Sequence, residues 1–127
     1  MPRFDVKTDD APSSPSYSQA VIAGNLVFVS GTVGRDMAGG TWPETVEEQA
    51  ELALRNLASV LAEAGASLDD VVKTTVWLTD ASHGARIAEA YGRAFRAPLP
   101  ARSAPVVSGF PIPEALISIE AVALRRG

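Results

Sequence analysis

Two charged side chains stand where strand-like sequence should carry none. Glu120 interrupts Leu116-Ile117-Ser118-Ile119-Glu120-Ala121-Val122-Ala123-Leu124, the most strand-like run in the chain. Strand alternation puts it on one face with Leu116, Ser118, Val122 and Leu124. Burying a carboxylate there is costly unless it is paired or keeps its proton. Arg102 opens the preceding candidate strand, directly after the stiff approach Pro98-Leu99-Pro100-Ala101. The two could form a structural ion pair, or one could lie on a solvated sheet edge. The functional alternative has Arg102 facing a pocket, where its planar fork grips a carboxylate through two parallel bonds. Glu120 would then handle a proton or a water.

Other reactive types are sparse. His83, the only histidine, follows Ser82 and precedes Gly84. It reads as a surface residue at a helix start, and no serine–histidine–acid set forms around it. The pairs Asp9-Asp10, Glu47-Glu48 and Asp69-Asp70 lack ligand spacing for calcium, so no metal is expected. With no cysteine there is no disulfide, thiolate zinc site, iron–sulfur cluster or thiol nucleophile. Gly31-Thr32-Val33-Gly34 and Gly39-Gly40 read as loop glycines rather than a phosphate cradle, since no lysine follows. Tyr17 reads as a packed ring with a satisfied hydroxyl, and Trp42 and Trp77 as core or interface.

Two segments must be helices. From Thr45 to Ala64, the residues Val46, Ala50, Ala53, Leu57, Val60, Leu61 and Ala64 form one apolar stripe. Thr45 to Glu48 offers a capping box, Gly65 a C-terminal stop, and Glu51 and Arg55 can pair across a turn. A second helix is expected over 82–96, capped by Ser82, with Ile87, Ala88, Tyr91, Ala94 and Phe95 inward and Pro98 beyond its end. Strands are expected at 19–23, 26–30, 71–79, 102–107 and 115–124, the first two joined by a Gly24-Asn25 turn. The order implies an α+β fold: a mixed five- to six-stranded sheet with both helices on one face. Several strands are apolar on both faces. The uncovered face therefore implies a homo-oligomer, an apolar ligand groove, or both.

Composition bounds the rest. The chain has 127 residues, suiting a single domain over 1–127, with 46% hydrophobic and 20% charged residues. Net charge is -4 with only two lysines, Lys7 and Lys73, and Arg86, Arg93 and Arg96 read as a solvated helix face. Nucleic acid is not an expected partner. No apolar run approaches the ~20 residues that span a bilayer. The polar, aspartate-bearing residues 1–10 do not resemble a secretory signal, so a cytoplasmic location is the default.

Six short motifs, in order and at about the right spacing, resemble the RidA/YjgF imine deaminase family, also called the endoribonuclease L-PSP family. They are Tyr17-Ser18-Gln19-Ala20, Gly24 to Gly31, Asn56-Leu57 ahead of Ala64-Gly65, Asp70 to Lys73, Pro100-Ala101-Arg102-Ser103 and Ile119 to Ala123. The likeness runs from about Ala11 to Leu124.

The resemblance implies a chorismate-mutase-like subunit, a homotrimer with a barrel-like core, and clefts between subunits. It implies hydrolysis of reactive 2-imino and 2-enamino acids, such as 2-aminoacrylate, to 2-keto acids and ammonia, without a cofactor. By resemblance, Arg102 binds the substrate carboxylate and Glu120 handles water. Tyr17, Ser30, Gly31 and the position of Ala104 line the ligand. The sequence departs from the family pattern in four places: Pro15-Ser16 precedes the tyrosine, Ala88 stands in place of a pocket asparagine, Ala104 in place of a frequent cysteine, and Pro105 follows it. Ala88 and Pro105 keep one alternative in view, a non-catalytic trimer that binds small carboxylates or a partner protein. A third reading, the endoribonuclease activity ascribed to some members of the family, is disfavoured by the acidic balance, the lone His83 and the lack of a basic stripe.

Overall fold

In the computed structural model, which describes residues 2–126, the first helix forms where its stripe requires. Met1 and Gly127, the ends of the expected domain, lie outside the described residues. Helix α1 spans Val46–Glu63, and every stripe residue from Val46 to Ala64 is buried. Thr45 caps it by accepting the Glu48 backbone N–H at 3.2 Å. Its hydroxyl donates to the Glu48 carboxylate at 3.0 Å, so the expected box closes side chain to side chain. Gly65 ends the helix at φ +81°, a conformation that suits glycine.

Six strands make one mixed sheet: β1 (Arg3–Val6), β2 (Ala20–Ala23), β3 (Leu26–Val33), β4 (Val71–Leu78), β5 (Ala101–Ser103) and β6 (Ile117–Leu124). Their order is β1-β2-β3-β6-β4-β5, with only β4 and β5 parallel. One face packs on α1 through Val27, Val29, Val76, Leu78, Ile117, Ile119 and Ala123. The opposite face has no covering helix, as expected. Its rows follow from the register: Leu26 beside Leu124, Phe28 beside Val122, then Ser30 and Gly31 beside Glu120 and Thr75, then Val33 beside Ser118 and Trp77. One end of this face is thus mostly apolar, although Lys73 stands beside Val122 there, and the other carries Glu120 and the hydroxyl groups.

Several expectations are corrected. β1 falls in the segment read as a polar lead; Phe4 and Val6 alternate, but the strand forms by pairing with β2. β3 continues through Gly31 to Val33, so these residues are strand, not loop. It does so by bulging: Val29 pairs with Ala121 and Thr32 with Ile119, leaving Ser30 and Gly31 opposite Glu120 alone. In the Gly24-Asn25 turn only Gly24 takes a positive φ, 61°.

The second helix breaks at Ile87 into α2 (His83–Arg86) and α3 (Ala88–Ala94). The break shifts the buried register: Ala90 is buried and Ala88 faces solvent. Asp80, not Ser82, serves the start of α2, accepting the Ser82 N–H and hydroxyl at 2.8 and 2.6 Å. Glu51 pairs with Arg93 rather than Arg55. Arg86 and Arg96 pair with Glu47 and Asp69, as a solvated face would. The 102–107 strand shortens to β5, after which the chain still follows β4 through a Leu78–Val106 bridge.

Candidate functional site

Three buried amides fix the loops around the open face. The Gln19 side chain donates to the carbonyls of Thr8, Ala11 and Pro12 at 3.0–3.1 Å, and its oxygen takes the Thr8 N–H at 2.7 Å. That sets the segment leading to Tyr17. Gln49 sits in the buried stripe of α1 and donates to Pro43 and Glu114 carbonyls while accepting the Leu116 N–H. It thereby holds the 110–116 loop against the sheet. Asn56 donates to the carbonyls of Val33 and Arg35, tying down the end of β3. Sequence reasoning misses these supports; for Gln49 and Asn56 the available signal is a polar amide at an inward position of α1, and Gln19, just before β2, offers none.

Between these loops lies a cleft of about 750 Å³. Tyr17, Ser30 and Gly31 all line it, together with Phe110, Ile112 and Ser118. Tyr17 is 54% exposed, so its ring is a wall of the cleft rather than a packed core residue. Ser30 is held on both sides: its N–H donates to the Gln19 carbonyl at 2.9 Å and its hydroxyl to the Ser18 carbonyl at 2.7 Å. Gly31 must be small, because a Cβ there would lie 2.6 Å from the Ser118 hydroxyl oxygen.

Glu120 stands across from the Ser30–Gly31 bulge, half-buried on the open face. Its Oε1 accepts the Trp77 indole N–H at 2.6 Å. The indole in turn lines a smaller hollow of about 290 Å³ that shares Gly31, Phe110 and Ser118 with the larger cleft. Glu120 is therefore beside the cleft, one side chain back from its wall.

Arg102 is not with them. It pairs in register with Thr74, which is fully buried on the helix side of β4, whereas Glu120 pairs with Thr75 on the open side. The two charges thus project from opposite faces, and their strands, consecutive in sequence, are separated in the sheet by β4. No ion pair joins them among the described residues. The Arg102 guanidinium carbon lies 4.7 Å from the Tyr91 ring centroid, a cation–π contact. The Tyr91 hydroxyl is fixed by Thr74 at 2.7 Å and its ring packs on Phe95. Arg102 and Ala104 are exposed, so the fork remains open to an incoming anion. His83 is half-buried rather than free at the surface, and its Nδ1 has no hydrogen-bond partner.

The model for the family described as endoribonuclease L-PSP matches residues 8–125. The chain belongs to this family, which includes the RidA proteins. It is 42% identical over 120 residues to Reactive Intermediate Deaminase A of Arabidopsis thaliana, a chloroplastic protein, covering 93% of this chain and 64% of that one. The chain thus spans under two thirds of that relative's length. It is 39% identical over 122 residues to the 2-iminobutanoate/2-iminopropanoate deaminase of Rattus norvegicus, covering 94% and 88% of the two chains. Among solved structures it resembles Escherichia coli TdcF with bound serine, at TM-score 0.87 and 33% identity over 97% and 99% of the chains. The mixed six-stranded α+β subunit is that of the family. Among the described residues no helix is long and apolar enough to cross a membrane.

Proposed function

We propose that the protein, one domain over 1–127, hydrolyses reactive 2-imino and 2-enamino acids to 2-keto acids and ammonia in the cytoplasm. The active unit is a homotrimer with clefts between subunits and sheets turned inward as a barrel. The observation that carries this reading is the placement of Glu120 across from the Ser30–Gly31 bulge, beside the Tyr17 cleft. It occurs in a chain whose relatives are named imine deaminases. The bound serine of TdcF, a small carboxylate, fits a site of this kind. The apolar end of the uncovered face, with Phe28 45% and Leu124 43% exposed, favours assembly through that face.

The roles follow from charge and position. Arg102 of one subunit clamps the substrate carboxylate, and Tyr17, Ser30, Gly31 and the Ala104 backbone bound the rest of the ligand. Water adds to C2 of the protonated imine as Glu120 takes one of its protons; the C–O bond forms while the C=N π pair moves to nitrogen, giving a neutral carbinolamine. Glu120 returns that proton to nitrogen; the C–N bond then breaks as the hydroxyl gives its remaining proton to Glu120 and closes the C=O, and ammonia leaves the 2-keto acid, taking that proton from Glu120 as ammonium. Free imines hydrolyse in water unaided, so positioning and one proton carrier suffice.

The test generates 2-aminoacrylate in situ from serine with a pyridoxal-dependent dehydratase and follows pyruvate. Release faster with the protein than without it is expected. Unchanged release, repeated across imines made from several amino acids by an oxidase, would leave a carboxylate-binding trimer in its place.

A further inference from the structure

We infer that Trp77 is a positioning residue for Glu120, fixing one carboxylate oxygen so that the other is presented to water. The inference rests on the proposed deaminase reading and assigns a device within that site. Trp77 lies on the open face of β4, opposite Ser118 and one row along from the Thr75–Glu120 pair. Its indole N–H donates to Glu120 Oε1 at 2.6 Å, and no protein donor reaches Oε2 among the described residues. A carboxylate on a strand has three rotatable bonds and would otherwise sample several directions over the sheet. A single charge-assisted bond to a rigid, half-buried ring selects one.

The surroundings make room for a ring this large. Its neighbour across the sheet is Ser118, and beyond that Gly31 approaches so closely that no Cβ fits against the Ser118 hydroxyl. The small pair leaves the hollow that the indole walls with Phe110 and Val107. The same ring therefore does two things: it orients Glu120 through its N–H and closes the hollow with its face. Among the described residues no other side chain donates to Glu120, and the Ser30 hydroxyl is turned to the Ser18 carbonyl instead.

Trp77→Phe keeps an aromatic ring in place, though a smaller one, and removes the donor. On 2-aminoacrylate its kcat should fall about tenfold or more with KM changed less than about twofold, the mark of lost positioning rather than lost binding. Binding of 2-oxobutanoate, measured by calorimetry, should stay within about twofold of the parent. A second measurement does not need turnover or that variant to fold. In nuclear magnetic resonance of the isotope-labelled parent, Glu120→Gln should move the Trp77 indole N–H resonance and leave that of Trp42 in place. An unmoved Trp77 resonance, or a Trp77→Phe protein with parental kcat, would overturn the inference. A moved resonance in a protein without turnover on any imine would uphold the contact and reject the deaminase reading instead.

Discussion

The Tyr17 cleft and the Arg102 edge are built on opposite principles. The cleft is over-determined: Gln19 and Gln49 pin its loops, Ser30 is bonded at nitrogen and hydroxyl, and Gly31 touches Ser118. The Arg102 edge is a three-residue strand whose guanidinium rests on one aromatic ring and meets no carboxylate. The cleft has walls and a candidate proton carrier but no cation to hold an acid. The edge has the cation and no walls. They lie on opposite faces of one sheet, so a single copy does not bring them together. The difference teaches why the proposed function needs more than one copy: on that reading each chain carries two incomplete halves, and in the proposed trimer one chain's edge completes its neighbour's cleft.

Arg102→Ala should have the largest effect. Removing the proposed bidentate clamp costs ~2–5 kcal/mol, which lowers kcat/KM by about 1.5 to 3.7 orders of magnitude. Light scattering should still report the parental mass, because the residue is exposed and outside the core. Glu120→Gln comes next: kcat should fall about a hundredfold while binding of 2-oxobutanoate is kept, as calorimetry would show. Together the two variants divide binding from proton transfer, and equal effects on both constants in both variants would blur the distinction between edge and cleft.

The smallest effect belongs outside both halves. Burial pushes the Asp70 carboxyl up, and hydrogen bonds from Arg126 and from Ser67 outweigh it, leaving the group below the usual carboxylate range. A depressed folded pKa contributes stability above the unfolded value of about 3.9, which is lost as pH falls through the folded value. Asp70→Asn should therefore lower Tm by roughly 5 °C at pH 7. By scanning calorimetry the gap should narrow as pH falls below the unfolded value and through the lower folded one, with activity per folded molecule unchanged.

Much of this was legible in the residues. The α1 stripe, its Thr45 cap, the Gly65 stop, the Gly24 turn and the bare sheet face all rest on local periodicity, and all appear. Tyr17, Ser30 and Gly31 do share one cleft. What escaped depends on pairing between distant segments. β1 exists because β2 offers it an edge, and the bulge at Ser30–Gly31 exists because β6 spends one residue there. The same is true of strand order: nothing in 102–107 says that it pairs in parallel with β4 rather than with β6. That single choice sends Arg102 and Glu120 to opposite faces. Trp77 was read as core or interface because an indole does not announce its hydrogen-bond partner forty-three positions away.

The central claim is that Arg102 and Glu120 of one working cleft come from different subunits. Mixed trimers of Arg102→Ala and Glu120→Gln chains, carrying distinct tags and purified through both, test it most directly. With shared clefts, each mixed trimer kept by the double purification has one of its three clefts with both native groups, so activity should recover to about a third of the parent. Activity no higher than that of either variant alone would contradict the account.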